Sequence, residues 1–152
     1  MKKIEYIFVI GDFNNWTATD EGYMKRTPDG AYYWVTITGL TPQVEYAYQY
    51  YVDGELKLAD PYCEKILDPW NDRWIPETTY PDLKPYPWDK TLGIVSVLQT
   101  NQEPYEWEVP NFTPVAVSET QSNLIIYELL IRDFIESRHI TDVLDKLDYL
   151  QN

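Results

Sequence analysis

The residues with the widest chemical reach in this chain are its aromatics and its acids. Fourteen tyrosines and 6 tryptophans supply most of an aromatic content of 16%. Flat Trp and Tyr faces stack on sugar rings, and Tyr also favours strands. The same residues can therefore serve a binding surface or a β-rich core. The 25 Asp and Glu residues could supply the paired carboxylates of glycosidic-bond cleavage, which stand about 5–5.5 Å apart in retaining enzymes. At that density neighbouring pairs arise by chance, so Asp60/Glu64 and Asp68/Asp72 read as solvated loop charges. His139 is the only histidine, which excludes a two-histidine metal site or proton relay. It precedes a helical stretch and reads as a surface or capping residue. Cys63 is alone, offers no disulfide framework and reads as a small packed side chain. No glycine-rich phosphate loop occurs among the 6 glycines. No catalytic residue, metal ligand or cofactor site is expected.

Charge narrows the partners. Lys and Arg number 12 against 25 acids, a net charge of −13 with no basic cluster. Nucleic acid and anionic membrane surfaces both require clustered Lys or Arg, so neither is an expected partner. A neutral polymer is indifferent to that charge. At 152 residues and 44% apolar content the chain can bury a real core. Met1–Glu5 lacks a long apolar h-region and no run approaches the roughly 18 apolar residues of a span, so neither a signal peptide nor a membrane helix is expected. The compartment stays open. Asn15-Trp16-Thr17 and Asn111-Phe112-Thr113 fit a glycosylation pattern that matters only in a eukaryotic secretory setting.

Strands must position these groups. Glu5–Ile10 reads as a first strand, running into the turn-forming, aromatic loop Gly11–Trp16. A short strand at Met24–Arg26 and a turn at Thr27–Gly30 precede Tyr32–Ile37, with Tyr33, Val35 and Ile37 inward and Tyr32, Trp34 and Thr36 outward. Val44–Val52 is the clearest strand, placing Tyr46, Tyr48, Tyr50 and Val52 on one face and Ala47, Gln49 and Tyr51 on the other. The Asp53-Gly54 pair is a strong hairpin signal that turns the chain back through Glu55–Leu58. Ile94–Leu98 is a last strand. Asp60–Trp88 reads as a long irregular segment, since prolines at 76, 81, 85 and 87 forbid continuous pairing there. Its aromatics should pack it onto the sheets, Trp70 and Trp74 pinning it and Trp88 lying in a core or domain interface. The whole of residues 1–100 is expected to be a mainly β domain, a β-sandwich.

Residues 101–122, with Pro104, Pro110 and Pro114, read as a linker. Within 123–152, Leu124–Leu130 is almost wholly apolar, as in a strand buried on both faces. A helix from about Ile140 to Leu150 follows, its stripe formed by Ile140, Val143, Leu144, Leu147 and Leu150. That makes one βα unit. Without neighbouring strands Leu124–Leu130 is an edge seeking pairing, expected to dock on the sandwich or on another copy of the chain.

Two motif sets carry a resemblance. GDFNNW at Gly11–Trp16, VDG at Val52–Gly54 and ADP at Ala59–Pro61 resemble a family 48 carbohydrate-binding module over roughly residues 4–100. This is the immunoglobulin-like domain that precedes the barrel of many α-amylase-family enzymes, branching and debranching enzymes included. A similar domain binds glycogen in the β subunit of AMP-activated protein kinase. NLIIYELLIRDF and DVLDKLDYL resemble the first strand and helix of the glycoside hydrolase family 13 (β/α)₈ barrel. The chain stops at Asn152, where the resemblance places the second barrel strand. A full barrel needs roughly 250 residues, and the family's catalytic carboxylates follow later strands, so the resemblance implies a truncated barrel that is catalytically inert.

In glycan-binding members of that family the N-N-W tryptophan and a second tryptophan past the DG turn form a stacking platform, and a Lys on the preceding strand hydrogen-bonds a sugar hydroxyl. Trp16 matches the first position, the second falls on Leu56 and the Lys position on Gln49. One aromatic face covered by a pyranose buries on the order of 100 Å², about 2.5 kcal/mol gross. Immobilising the ligand costs at least about 4 kcal/mol, whereas two or three faces together reach about millimolar affinity. Trp34, Trp70, Trp74 or Trp88 must therefore converge on Trp16, and Trp34 joins Trp16, Gln49 and Leu56 as a candidate contact. Three roles follow: a structural module beside the catalytic barrel of an α-amylase-family enzyme, an α-glucan-binding domain, or an interaction domain whose exposed aromatics meet a protein partner such as that barrel.

Overall fold

A computed structural model of the protein describes residues 3–108 and 126–151. The chain divides into two compact units, Met1–Glu103 and Pro104–Asn152. The described residues are mainly strands in antiparallel sheets with few helices, a β-rich fold.

In the first unit β4 (Glu45–Val52) is the centre of a five-stranded sheet. Strand β1 (Ile7–Gly11) lines one edge of it, from Ile7 opposite Val52 to Gly11 opposite Tyr48. Two strands share the other edge: β5 (Leu56–Leu58) pairs with Tyr50–Val52, and β7 (Val95–Gln99) with Glu45–Tyr48. Strand β6 (Lys65–Leu67) pairs outside β7. The turn between β4 and β5 has Asp53 at φ 51° and Gly54 at φ 71°, with Glu55 N–H donating to the Val52 carbonyl. That left-handed pair is what an Asp-Gly hairpin supplies.

Lys65–Leu67 corrects the reading of Asp60–Trp88 as irregular throughout. The three residues lie ahead of the prolines and retain their N–H groups, so a short ladder forms. Lys65 Nζ also bridges Glu45 at 2.7 Å and the Tyr80 hydroxyl at 2.9 Å. In the separate two-stranded sheet β2 is only Lys25–Arg26 and β3 only Tyr33–Trp34. Exposure nevertheless alternates through Tyr32–Ile37, with Tyr33, Val35 and Ile37 half-buried. Pro28 ends β2 within the Thr27–Gly30 turn, which leaves the rest of that run without a ladder partner.

Register sets Ala47 opposite Val97 and Leu67 opposite Val95. These four residues and Tyr86 form the buried cluster, with Trp16 and Leu83 packed against it. The Pro-rich segment packs on this cluster through Leu83 and Tyr86, whereas Trp70 and Trp74, expected to pin it, are exposed. On the opposite face the Tyr48 and Tyr50 hydroxyls both donate to Asp60 Oδ2, at 2.9 and 2.8 Å. Asp60 N–H in turn donates to the hydroxyl of buried Ser96 at 2.6 Å. Burial, and then donation to Asp60, pushes Tyr50 up to about 12 and raises Tyr48 as well.

In the second unit, residues 126–130 form no strand, and Ile126, Tyr127 and Leu130 are exposed. This corrects the expected doubly buried strand over its described part; Leu124 and Ile125, like most of the expected linker, lie outside the described residues. A parallel strand requires hydrogen-bonded neighbours, and one βα unit supplies none. Ile131–Phe134, read as a loop, is a short helix, and the expected helix from Ile140 splits into a 3₁₀ stretch, Ile140–Lys146, and an α-turn, Leu147–Gln151. Ile140, Leu144 and Leu147 of its apolar stripe are exposed. Among the described residues no helix is long and apolar enough to cross a membrane.

Burial raises the Asp60 carboxyl, but donation from Tyr62 N–H, Tyr50 and Tyr48 outweighs it and holds the group below its ordinary 3.8. A carboxyl depressed by folding stabilises fully above its unfolded value and loses that contribution as pH falls through the folded one. Denaturant titrations between about pH 5 and 2 should therefore show wild-type stability falling more steeply than that of Asp60→Asn. Parallel slopes for the two proteins would remove Asp60 from this role.

Candidate functional site

Strand β1 ends at Gly11, where only glycine fits, because a Cβ there would stand 2.4 Å from the Ala47 carbonyl oxygen. The chain then makes a tight turn in which Asn15 and Trp16 are both left-handed, at φ 51° and 60°. Such a backbone is uncommon for a bulky aromatic. Trp16 N–H donates to the Gly11 carbonyl at 2.9 Å, and its indole Nε1–H donates to Asp12 Oδ1 at 3.1 Å. The other carboxylate oxygen of Asp12 accepts from Ala47 N–H at 2.8 Å and pairs with Lys84 Nζ at 3.0 Å. Asp12 thus takes over the ladder at the point where β1 leaves it.

Facing this loop is the turn Tyr86–Lys90. The Pro87 carbonyl accepts from Lys90 N–H at 3.0 Å and from Thr91 N–H at 3.3 Å. Tyr86 is buried and donates its hydroxyl to the Gly93 carbonyl at 2.8 Å, while its ring lies 4.7 Å from that of Trp88. Burial raises the Tyr86 hydroxyl above its ordinary value. Lys90 Nζ reaches across to Asn15 Oδ1 at 3.0 Å. Between loop and turn lies a cleft of about 390 Å³, lined by Trp16, Pro87 and Trp88 with Asp12, Asn15, Asp89 and Lys90 around them.

Of the residues singled out in the sequence, Trp16 and Trp88 line this cleft. Gln49 has no exposed surface: its Nε2 donates to the carbonyls of Leu92 at 3.0 Å and Ile94 at 2.7 Å, and its Oε1 accepts from Thr91 Oγ1 at 2.5 Å. It is a core residue in this structure, with its amide committed to backbone and Thr91, and is not placed to meet a ligand. Leu56 is exposed on β5 at the far end of β4 from Gly11. Trp34 is exposed on β3, with Lys25 Nζ 5.1 Å from its ring. Neither joins Trp16. Trp88, expected in a core or domain interface, is 60% exposed on the cleft wall. The run Tyr86-Pro87-Trp88 carries that wall, and nothing local to it marks which of the four candidate tryptophans meets Trp16.

Of the acids read as solvated loop charges, Asp60 is instead half-buried beneath the Tyr48 and Tyr50 hydroxyls, whereas Asp68 and Asp72 hold their own loop. Asp72 accepts from Asp68 N–H at 2.8 Å, and Asp68 from Trp70 N–H at 2.8 Å and the Asn71 side chain at 2.6 Å. Hydrogen bonding, from Asn71 first, holds Asp68 below its ordinary value. Among the described residues no group of three or more His, Cys, Asp or Glu side chains could hold a metal ion. A platform of aromatic faces rimmed by polar groups is suited to binding and orienting a flat ligand with polar edges. No family model and no curated protein matches the chain.

Gln49→Leu should leave two carbonyls and a hydroxyl buried without partners, lowering unfolding free energy by about 3 kcal/mol in urea. Wild-type stability in that variant would show that Gln49 is not a strut.

Proposed function

We propose that residues 1–100 are a non-catalytic, immunoglobulin-like sandwich of the family 48 carbohydrate-binding type, a structural accessory to the barrel of an α-amylase-family enzyme acting on starch or glycogen. Residues 123–152 are then the first βα unit of that barrel. The observation that carries the reading is the placement of its motifs. The Asn-Asn-Trp loop continues β1, the Val-Asp-Gly turn closes β4, and β1 and β4 are neighbours in one sheet. Burial of Gln49 and the aliphatic side chain of Leu56 favour a structural part over a binding one.

A second reading, an α-glucan-binding domain, is favoured by one observation: the exposed Trp88 shares the cleft with half-buried Trp16. Two aromatic faces gain about 5 kcal/mol gross, about 1 kcal/mol beyond the lower estimate of immobilisation, and hydrogen bonds from the polar rim must add about 3 kcal/mol for millimolar binding.

Incubating the purified chain with amylose and glycogen should release no reducing ends and leave iodine staining unchanged. Cleavage or new branching would overturn the non-catalytic reading. Maltoheptaose separates the two roles: the structural role expects no response up to roughly tens of millimolar, and the binding role expects saturation in the millimolar range that Trp16→Ala abolishes.

A further inference from the structure

Resting on the second reading, we propose that the α-glucan seat is the cleft between the Asp12–Trp16 loop and the Tyr86–Lys90 turn, with Trp16 and Trp88 as its stacking faces and Lys90 as its hydrogen-bond donor. A glucan presents flat apolar ring faces edged by hydroxyls, so its seat needs aromatic plates with polar groups at their margins. Both are present. Trp16, Pro87 and Trp88 form the apolar walls, and Asp12, Asn15, Asp89 and Lys90 the polar margin. The volume of about 390 Å³ falls within the range of small-molecule sites. An ammonium has three donors, and the contact with Asn15 uses one. Asp12 is paired with Lys84 and Asp89 shares the rim with Lys90, so opposite charges are balanced there and a neutral polymer suits the cleft.

The walls are held before any ligand arrives, which matters most when binding is weak. Asp12 fixes the indole of Trp16, and the left-handed backbone at Trp16 is an outlier of the kind found at ligand sites. Trp88 is backed by the Tyr86 ring, and Tyr86 is tied to Gly93. Gln49 anchors Thr91, Leu92 and Ile94, the residues that follow the turn directly. Trp34, Trp70 and Trp74 are also exposed but line no part of this cleft. They serve as internal controls.

The test is a two-dimensional ¹H–¹⁵N titration of the full chain with maltoheptaose. Saturable shifts should concentrate on the amides of residues 12–16 and 86–91. Trp88→Ala should weaken binding about sixtyfold, the ratio expected when one stacked face of about 2.5 kcal/mol is lost, so that it no longer saturates at roughly tens of millimolar sugar. Lys90→Met should weaken it about threefold as a lost hydrogen bond would, and Trp34→Ala and Trp70→Ala should leave it unchanged. Saturable binding with shifts clustered at Leu56 or at Trp70–Trp74, or with Trp88→Ala binding as wild type, overturns this cleft and leaves the α-glucan-binding reading standing. Silence of the whole spectrum up to roughly tens of millimolar sugar removes that reading and the cleft together. Should Trp88→Ala lose its fold, the wild-type shift map and Lys90→Met decide between these outcomes.

Discussion

A buried carboxamide sets the course of the chain above the sheet. Gln49 projects from the middle of β4 into the core face, where water cannot satisfy it, and a buried amide without partners costs several times what a paired one contributes. Its two N–H donors take the carbonyls of Leu92 and Ile94, just ahead of β7, and its oxygen takes the Thr91 hydroxyl. Residues 91–94 are thereby fixed over one point of the sheet before β7 begins its own ladder. The preceding turn inherits that position, and Tyr86 fills the core beside Ala47 and Val95.

The opposite wall rests on the same economy of side chains completing backbone ladders. Beyond Gly11 the first strand is gone, and Asp12 supplies the acceptor that Ala47 N–H would otherwise lack on that edge. Its second oxygen holds the Trp16 indole. Two consecutive left-handed residues cost on the order of 1–3 kcal/mol each, and the bonds made by Gly11 and Asp12 oppose that cost. Lys84 neutralises Asp12 from the Pro-rich segment, so the loop and that segment are joined by charge as well as by packing.

How much of this could be read from sequence depended on range. The Asp53-Gly54 hairpin is a four-residue event, and its left-handed geometry follows from residue type alone. The alternation through Tyr32–Ile37 was equally legible, but the length of its ladder was not, because that length belongs to the partner strand and Pro28 truncates it. Lys65–Leu67 is too short to show a period, and its neighbouring prolines argued against a strand that β7 nevertheless accepts. Gln49 was misleading because its partners lie 42 to 45 residues further along the chain, and no local pattern distinguishes a buried amide from an exposed one. The strand at Leu124–Leu130 was read from an apolar run, which records the burial a segment needs and not whether neighbours are present to provide it.

Strand and loop positions differ in how freely a contact can move. A side chain on β4 is fixed by register, and Gln49 faces the core there, so it offers no polar contact to the outside. A turn tolerates change, because altering its side chains does not shift the ladder beneath it. On the proposed reading, Gln49 is the strut for a turn that carries a tryptophan and a lysine. Function of this sort belongs to the arrangement of the site more than to the fold that bears it. Fixed strands under an adjustable turn let the side chains of such a site change without rebuilding the core of Ala47, Leu67, Val95 and Val97.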